Sequence, residues 1–201
     1  MAASSHKSTE LKLLYPAKIA YKELLAKLPA TPIPLQNADC TPPNLLFHGD
    51  NLRTMRSLME CPAIAGKVRL VYIDPPFSTR TVYKASSGRV ATVSSSHSDD
   101  VAYTDMLQGT AYIEFLRRRL LLLRELMAPN ASIYLHIDYK IGHYVKVMMD
   151  EVFGVENFRN DITRIKCNPK NFTRKSYGNI KDMILFYGLG DLTPFSGPLL
   201  S

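Results

Sequence analysis

Apolar positions along this chain keep two rhythms, and their alternation sets the expected fold. Lys67-Val-Arg-Leu-Val-Tyr-Ile73 is a short β-branched run closing on Asp74, and Ala131–Ile137 is a second such run closing on Asp138; both read as buried strands. Leu45-Leu-Phe47 reads as a shorter strand, with His48-Gly-Asp-Asn51 as the turn at its end and Leu52–Met59 as the helix after it. From Met106 to Met127 the period changes: Leu107, Ala111, Phe115, Leu116, Leu120, Leu123, Leu126 and Met127 recur at helical spacing until Pro129-Asn130 stops them. Gly142–Phe153 repeats the helical period, with Val145, Met148, Met149 and Val152 facing the core, and Ile162–Ile165 and Met183–Tyr187 read as final strands. Strands alternating with helices predict an α/β fold with a mostly parallel sheet.

Around this body lie less regular stretches. Residues 1–43 read as an arm with one helix, an amphipathic Leu11–Leu28 followed by Pro29, Pro32, Pro34, Pro42 and Pro43. Residues 44–187 form the main body and 188–201 an irregular tail. Inside the body, Ser78 to about Thr104 is a Ser/Thr-rich segment too long for a plain connector, expected to be a mobile loop. No internal repeat is present.

Composition narrows the class. A chain of 201 residues with 46% hydrophobic positions suits one sizeable domain. No apolar run reaches the roughly 18 residues of a membrane span, because Arg117–Arg119 and Arg124 interrupt Leu120-Leu-Leu-Leu123. The opening Met1-Ala-Ala-Ser-Ser-His-Lys has no apolar signal core, and Cys40, Cys61 and Cys167 lack metal-ligand spacing. A reduced cytoplasmic compartment and no metal are therefore expected. The net charge of +7 points to a polyanionic partner. Arg117–Arg119 is expected to be a solvated helix face. The run from Arg159 to Lys181 is the better phosphate surface, since Arg164, Lys166, Lys170, Arg174 and Lys175 are interleaved with Asn168, Asn171, Phe172 and Tyr177. Arg80 and Lys84 add positive charge close to the next feature.

That feature is Asp74-Pro75-Pro76-Phe77. An exocyclic amino group on a nucleobase is a poor nucleophile, its lone pair being delocalised into the ring. A carboxylate at Asp74 and the Pro75 carbonyl could both accept hydrogen bonds from that NH2 and push the nitrogen towards tetrahedral geometry. Consecutive prolines hold φ near −65° and offer no competing N–H. Phe77 supplies a flat face for a base taken out of the stack, which can return roughly 1–3 kcal/mol of stacking. The plain alternative is a rigid turn closing a strand. With Pro at about 5% of residues, such a string arises by chance in well under about 1% of chains this long. It also sits at the carboxyl end of a strand, where open α/β sheets bind ligands.

Asn44-Leu-Leu-Phe-His-Gly-Asp-Asn-Leu52, Gly66–Phe77, Phe115–Met127, Ser132-Ile-Tyr-Leu-His-Ile-Asp138 and Met149–Phe158 together resemble the β-class DNA adenine-N6 methyltransferases. The branch is the one containing the modification subunits of Type III restriction systems. The likeness covers residues 44–187, with the motifs in the family's order. It implies a Rossmann-like sheet, S-adenosylmethionine as methyl donor, and an adenine flipped from double-stranded DNA. It implies that Asp74, Pro75, Pro76 and Phe77 form the catalytic loop and that Asp50, Asn51 and Leu52, with Asp74, lie against the donor. Asp50 reads equally well as a cap on the following helix. Asp138 reads better as a cap than as pocket lining, and His48 and His136 as satisfied strand histidines, because attack on a sulfonium methyl needs no strong base in the family's mechanism.

Two departures shape the expectation further. Ser78 stands where the family usually has Asn, and the family's glycine-rich donor-binding sequence, of the Asp-Pro-Phe-x-Gly-Ser-Gly type, is not found; Gly188-Leu-Gly190 and Asp191–Gly197 only echo it. In the family's sheet order the strands tied to that sequence insert between the strand near His48 and the strand ending at Asp74. Without them the first strand has no neighbour and its ladder groups are exposed. The expected protein is thus the catalytic-side half of a methyltransferase, either a truncation or one chain of a split enzyme, with a complementary methyltransferase chain, a restriction subunit or a homodimer partner as its candidate partners. Cytosine-N4 methylation and an inactive DNA-binding accessory are the alternatives.

Overall fold

The structure, a computed structural model, describes residues 12–31, 44–76, 82–86, 89–90, 100–104, 109–166 and 180–190, with side chains described outside 82–104. Two helices precede the sheet, α1 (Tyr21–Lys27) and α2 (Asn51–Leu58). Then come β1 (Val68–Ile73), the short strands β2 (Val82–Ser86), β3 (Arg89–Val90) and β4 (Asp100–Thr104), helix α3 (Gly109–Leu126) and β5 (Met127–Asp138). The chain closes with α4 (Tyr139–Phe153), β6 (Phe158–Ile165) and β7 (Lys181–Gly188).

The main sheet has the order β1-β5-β7-β6. β1 and β5 run parallel, joined by a connection through α3. β7 then lies antiparallel between β5 and β6. The α/β class stands, but the mostly parallel sheet does not: among the described strands only β1 with β5 is a parallel pairing, and β7 lies antiparallel to both of its neighbours. β2, β3 and β4 make a separate antiparallel sheet inside the segment expected to be a loop.

α3 explains its own run of leucines. Tyr112, Ile113, Leu116 and Leu120 share one core cluster with Ile133 and Leu135 of β5, Tyr187 of β7 and Met149 of α4. Leu122 and Leu126 face the other way, into a second cluster with Leu24, Leu28 and Met55 from α1 and α2. A helix covered on two sides needs more than one apolar stripe. In β5, Ala131, Ile133, Leu135 and Ile137 are fully buried, as a strand with neighbours on both edges and helices packed against it requires.

Several element limits differ from the sequence expectation. Residues 45–47 form no strand and Leu46 is 96% exposed; among the described residues no strand pairs with them. His48, accordingly, lies in exposed irregular chain rather than in a strand. The arm helix shrinks from Leu11–Leu28 to seven residues, because Pro16 lacks the N–H that a helix interior needs and Ala17 takes φ of 63°. Pro129-Asn130 does not stop the chain's regular structure but falls inside β5, at the irregularity between Val68↔Met127 and Leu70↔Ser132 where a missing ladder donor is tolerated. Asp138 caps α4 as expected, its Oδ1 accepting from Lys140 N at 3.1 Å.

Candidate active site

The parallel pairing of β1 with β5 builds the centre of the site. Ile73 pairs with Leu135, so Asp74 leaves the end of β1 beside His136. His136 Nδ1 lies 2.9 Å from Asp74 Oδ1, and the ring is buried while the Asp74 side chain is 57% exposed. On the far side of the ring, Nε2 lies 3.3 Å from Oδ2 of Asp182, a fully buried carboxylate at the start of β7. The expectation of a satisfied strand histidine holds for His136, and its partner is the candidate catalytic carboxylate.

Asp182 is a residue that sequence reasoning missed. Its position opposite Arg164 in the β6–β7 register draws in two cations: Arg164 Nη1 at 3.4 Å from Oδ2 and Lys166 Nζ at 2.5 Å from Oδ1. Arg164 and Lys166, expected on a DNA phosphate surface, therefore carry an internal ion pair as well. The one available signal was an acid at the head of an otherwise apolar strand, Asp182 before Met183-Ile-Leu185.

A cavity of about 340 Å³ opens at the end of β1, lined by Asp74, Pro75, Pro76, Asn51, Phe115 and Arg119 among others. Four residues expected from sequence thus meet on one space, from α2 and the β1 terminus. Leu52 lines a neighbouring cavity of about 390 Å³ with Glu114, Arg118 and Pro16, and Phe115 and Arg119 border both. Asp50 caps α2, its Oδ1 accepting from Leu52 N at 3.0 Å. The same oxygen lies 3.4 Å from Arg119 Nη2, which ties the cap to α3.

Arg119 corrects the picture of a solvated basic face on α3. Its Nε donates to Asn51 Oδ1 at 2.8 Å, its Nη1 to Phe115 O at 2.9 Å, and its Cζ stacks 3.5 Å from the centre of the Phe115 ring. Burial pulls the guanidinium below the ordinary arginine value, and the Asp50 carboxylate opposes that shift. Arg117 is buried too: Nη1 donates to Ile19 O at 3.0 Å and lies 3.5 Å from Glu114. These arginines join α3 to the segment before α1 and to α2, because a helix packed on two sides leaves little solvated face for them.

Phe77, Ser78, Arg80, Lys170, Arg174 and Lys175 lie outside the described residues, and of Lys84 only the backbone, in β2, is described. Among the described residues no group of three His, Cys, Asp or Glu could hold a metal, and no helix is long and apolar enough to cross a membrane.

Comparison with known proteins gives the site its context. Type II methyltransferase M.EcaI of Enterobacter cloacae is 38% identical over 158 residues, which cover 78% of this chain and 32% of that protein. The probable type III restriction-modification enzyme HindVI Mod subunit of Haemophilus influenzae is 30% identical over 153 residues, covering 75% of this chain and 18% of the relative. This chain thus spans a third or less of the length of these relatives. Among solved structures, the crystal structure of the M1.HpyAVI-SAM complex is similar with a TM-score of 0.46 and 16% identity, covering 77% of this chain and 60% of that one. The DNA methylase family model for N6 and N4 methyltransferases matches residues 68–196, from the strand that delivers Asp74 to beyond the strand that carries Asp182, and with well over half its residues inside that match the chain belongs to this family.

Proposed function

We propose that this chain carries the base-accepting side of a site-specific DNA methyltransferase that moves a methyl group from S-adenosylmethionine to the N6 amino group of adenine in double-stranded DNA. The observation that carries it is Asp74: a carboxylate on a rigid Pro-Pro turn, at the rim of a cavity, with one oxygen held by His136 and the other without an internal partner among the described residues. Such an oxygen can accept a hydrogen bond from an amino group entering the cavity, which keeps electron density on the nitrogen as it attacks. The Pro75 carbonyl is the second acceptor. Phe77 supplies the stacking face. Asp74–Phe77 favours adenine, since cytosine-N4 enzymes more often carry Ser at the first position.

S-adenosylmethionine, when bound, supplies an electrophilic methyl group. The fit of the chain to it is partial. Asn51, Pro75 and Pro76 give one polar and apolar wall of a space within the size range of small-molecule sites. The glycine-rich loop that the family uses on the donor is not among the 201 residues. We infer that donor-binding and sequence-recognising elements lie outside these 201 residues, in a further stretch of a longer chain or in a complementary chain, a restriction-system partner or a second copy. The edge of β1 supports this: among the described residues β1 pairs with β5 alone, and Leu70 and Tyr72 on it are 64% and 63% exposed. Arg80, Lys84, Arg164, Lys166, Lys170, Arg174 and Lys175 are the proposed phosphate contacts.

The test is methyl transfer to mixed-sequence duplex DNA, read by mass spectrometry of the nucleosides, beside calorimetric titration of the chain with S-adenosylmethionine. With the missing elements supplied, N6-methyladenine that falls about 10²- to 10³-fold in Asp74→Ala is the expected product and effect, whereas tight donor binding with methylation by the 201 residues alone would overturn the inference that those elements lie outside them. N4-methylcytosine would replace adenine as the target. DNA binding that survives Asp74→Ala with no methylation by any form would leave an accessory role.

A further inference from the structure

An aspartate with a side chain more than half exposed exchanges rotamers freely unless something holds it, whereas a group that meets a reacting atom has to be in place to within roughly 0.5 Å. Asp74 has one polar partner among the described residues, His136 Nδ1. His136 is itself immobilised. Its ring is buried in β5, between β1 and β7, and its Nε2 faces Asp182. Asp182, with Lys166 and Arg164 against it, is anchored to β6. A single line of charged groups therefore runs across the sheet, from the cavity rim on β1 to the far edge strand.

We propose that His136 is a positioning residue that carries a proton on both ring nitrogens, donating from Nε2 to Asp182 and from Nδ1 to Oδ1 of Asp74. The double protonation follows from donor counting. A neutral imidazole has one donor and one acceptor, so between two carboxylates one of its nitrogens would set lone pair against lone pair. The charges agree with it: two carboxylates are met by an imidazolium, a guanidinium and an ammonium, so neither the buried acid nor the buried ring is left uncompensated. Asp74 is then fixed by one oxygen, and Oδ2 remains for the incoming amino group. His136 does not touch substrate and acts only through Asp74; Asp182, Arg164 and Lys166 act one step further back. This role rests on the reading of Asp74 as the amino-group acceptor, but the geometry is measurable without any turnover.

The experiment is nuclear magnetic resonance on the isotopically labelled 201-residue chain at neutral pH. In the native chain His136 should show two ring N–H protons protected from exchange with water, and the Asp74 β-proton couplings should report one χ1 rotamer. His136→Gln should leave the amide spectrum elsewhere and the thermal unfolding midpoint in place while the Asp74 couplings collapse to rotamer averages. Should that variant fail to fold, Asp74→Ala at the exposed end of the line serves instead: the Nδ1–H signal is lost to exchange and the Nε2–H signal stays. A single ring N–H in the native chain, an Asp74 rotamer indifferent to His136→Gln, or an Nδ1–H still protected in Asp74→Ala would each overturn the proposal. Failure of methyl transfer with all these signals in place would count against the methyltransferase reading and not against the clamp.

Discussion

Tyr187→Phe isolates one buried hydroxyl in the layer that joins α4 to β7. The ring is fully buried, packed 5.9 Å from Phe153 and 5.2 Å from Phe158, and phenylalanine keeps those contacts. What goes is the hydroxyl, which donates to Asp150 Oδ1 at 2.7 Å. A hydrogen bond to a charged group contributes about 1.5–3 kcal/mol. The lower end applies, because Lys146 Nζ stays 2.8 Å from both Asp150 oxygens and the carboxylate is not orphaned. At neutral pH the variant should be about 1.5 kcal/mol less stable than the native chain.

The difference then reverses with pH. Burial pushes the Tyr187 phenol far up, with the hydrogen bond to Asp150 and its negative charge adding to the shift. In the unfolded chain the group titrates near ~10, so above that pH only the unfolded state loses the proton. A folded pKa raised above the unfolded one gives stability that is complete below ~10 and lost as pH climbs towards the folded value. The loss runs at about 1.4 kcal/mol per pH unit, and Tyr187→Phe is free of it. The two stability curves should therefore cross near pH ~11, about one unit above the unfolded pKa. Urea unfolding of both proteins at neutral pH and at several points above ~10 reads the difference directly. Tyr15 contributes the same alkaline loss to both, its phenol also being raised by burial and by Glu114, and cancels from the comparison. A stability difference that stays constant from neutral pH to ~11 would refute the reasoning.

Two further effects follow from packing and capping. Asp138→Ala removes the side-chain acceptor for Lys140 N at the start of α4 and should cost about 1 kcal/mol, a fall of roughly 2–4 °C in the unfolding midpoint, with Asp138→Ser recovering most of it by circular dichroism. Leu120→Ala, at a fully buried position facing the sheet, should cost about 2–5 kcal/mol in urea unfolding, and Leu121→Ala next to it, only partly buried, should cost clearly less.

What was legible in the sequence is what local pattern encodes. The β-branched run into Asp74 and the cap Asp138 before α4 could both be placed, because a strand's composition and an N-cap are properties of a few consecutive residues, but β1 is not the buried strand it reads as, since of its six residues only Val71 is buried. Direction of pairing is not such a property. β7 is a near-continuous apolar run, as a buried parallel strand would be, and nothing in its own residues says that it lies antiparallel beside β5. The strands within 82–104 were hidden for a related reason, since Ser- and Thr-rich stretches lack the apolar alternation that marks a half-buried strand.

The basic residues show most clearly why a site is harder to read than a fold. Arg164, Lys166, Arg117 and Arg119 have the same side chains whether they meet a DNA phosphate, a buried carboxylate or a helix carbonyl, so composition assigned them all to the surface or to nucleic acid. What separates the cases is the residue opposite. Arg164 stands across from Asp182 in the β6–β7 register, and Arg119 lies against Asp50 and Asn51, 68 and more residues away in sequence. The same non-local pairing joins His136 to Asp74 across 62 residues. A carboxylate such as Asp182 at the head of an apolar strand is therefore the useful warning in a sequence of this kind. It cannot be buried alone, so some of the cations assigned to phosphate must turn inward to meet it, and the side chain that bridges it to the cavity is the first place to look for a residue that positions the chemistry.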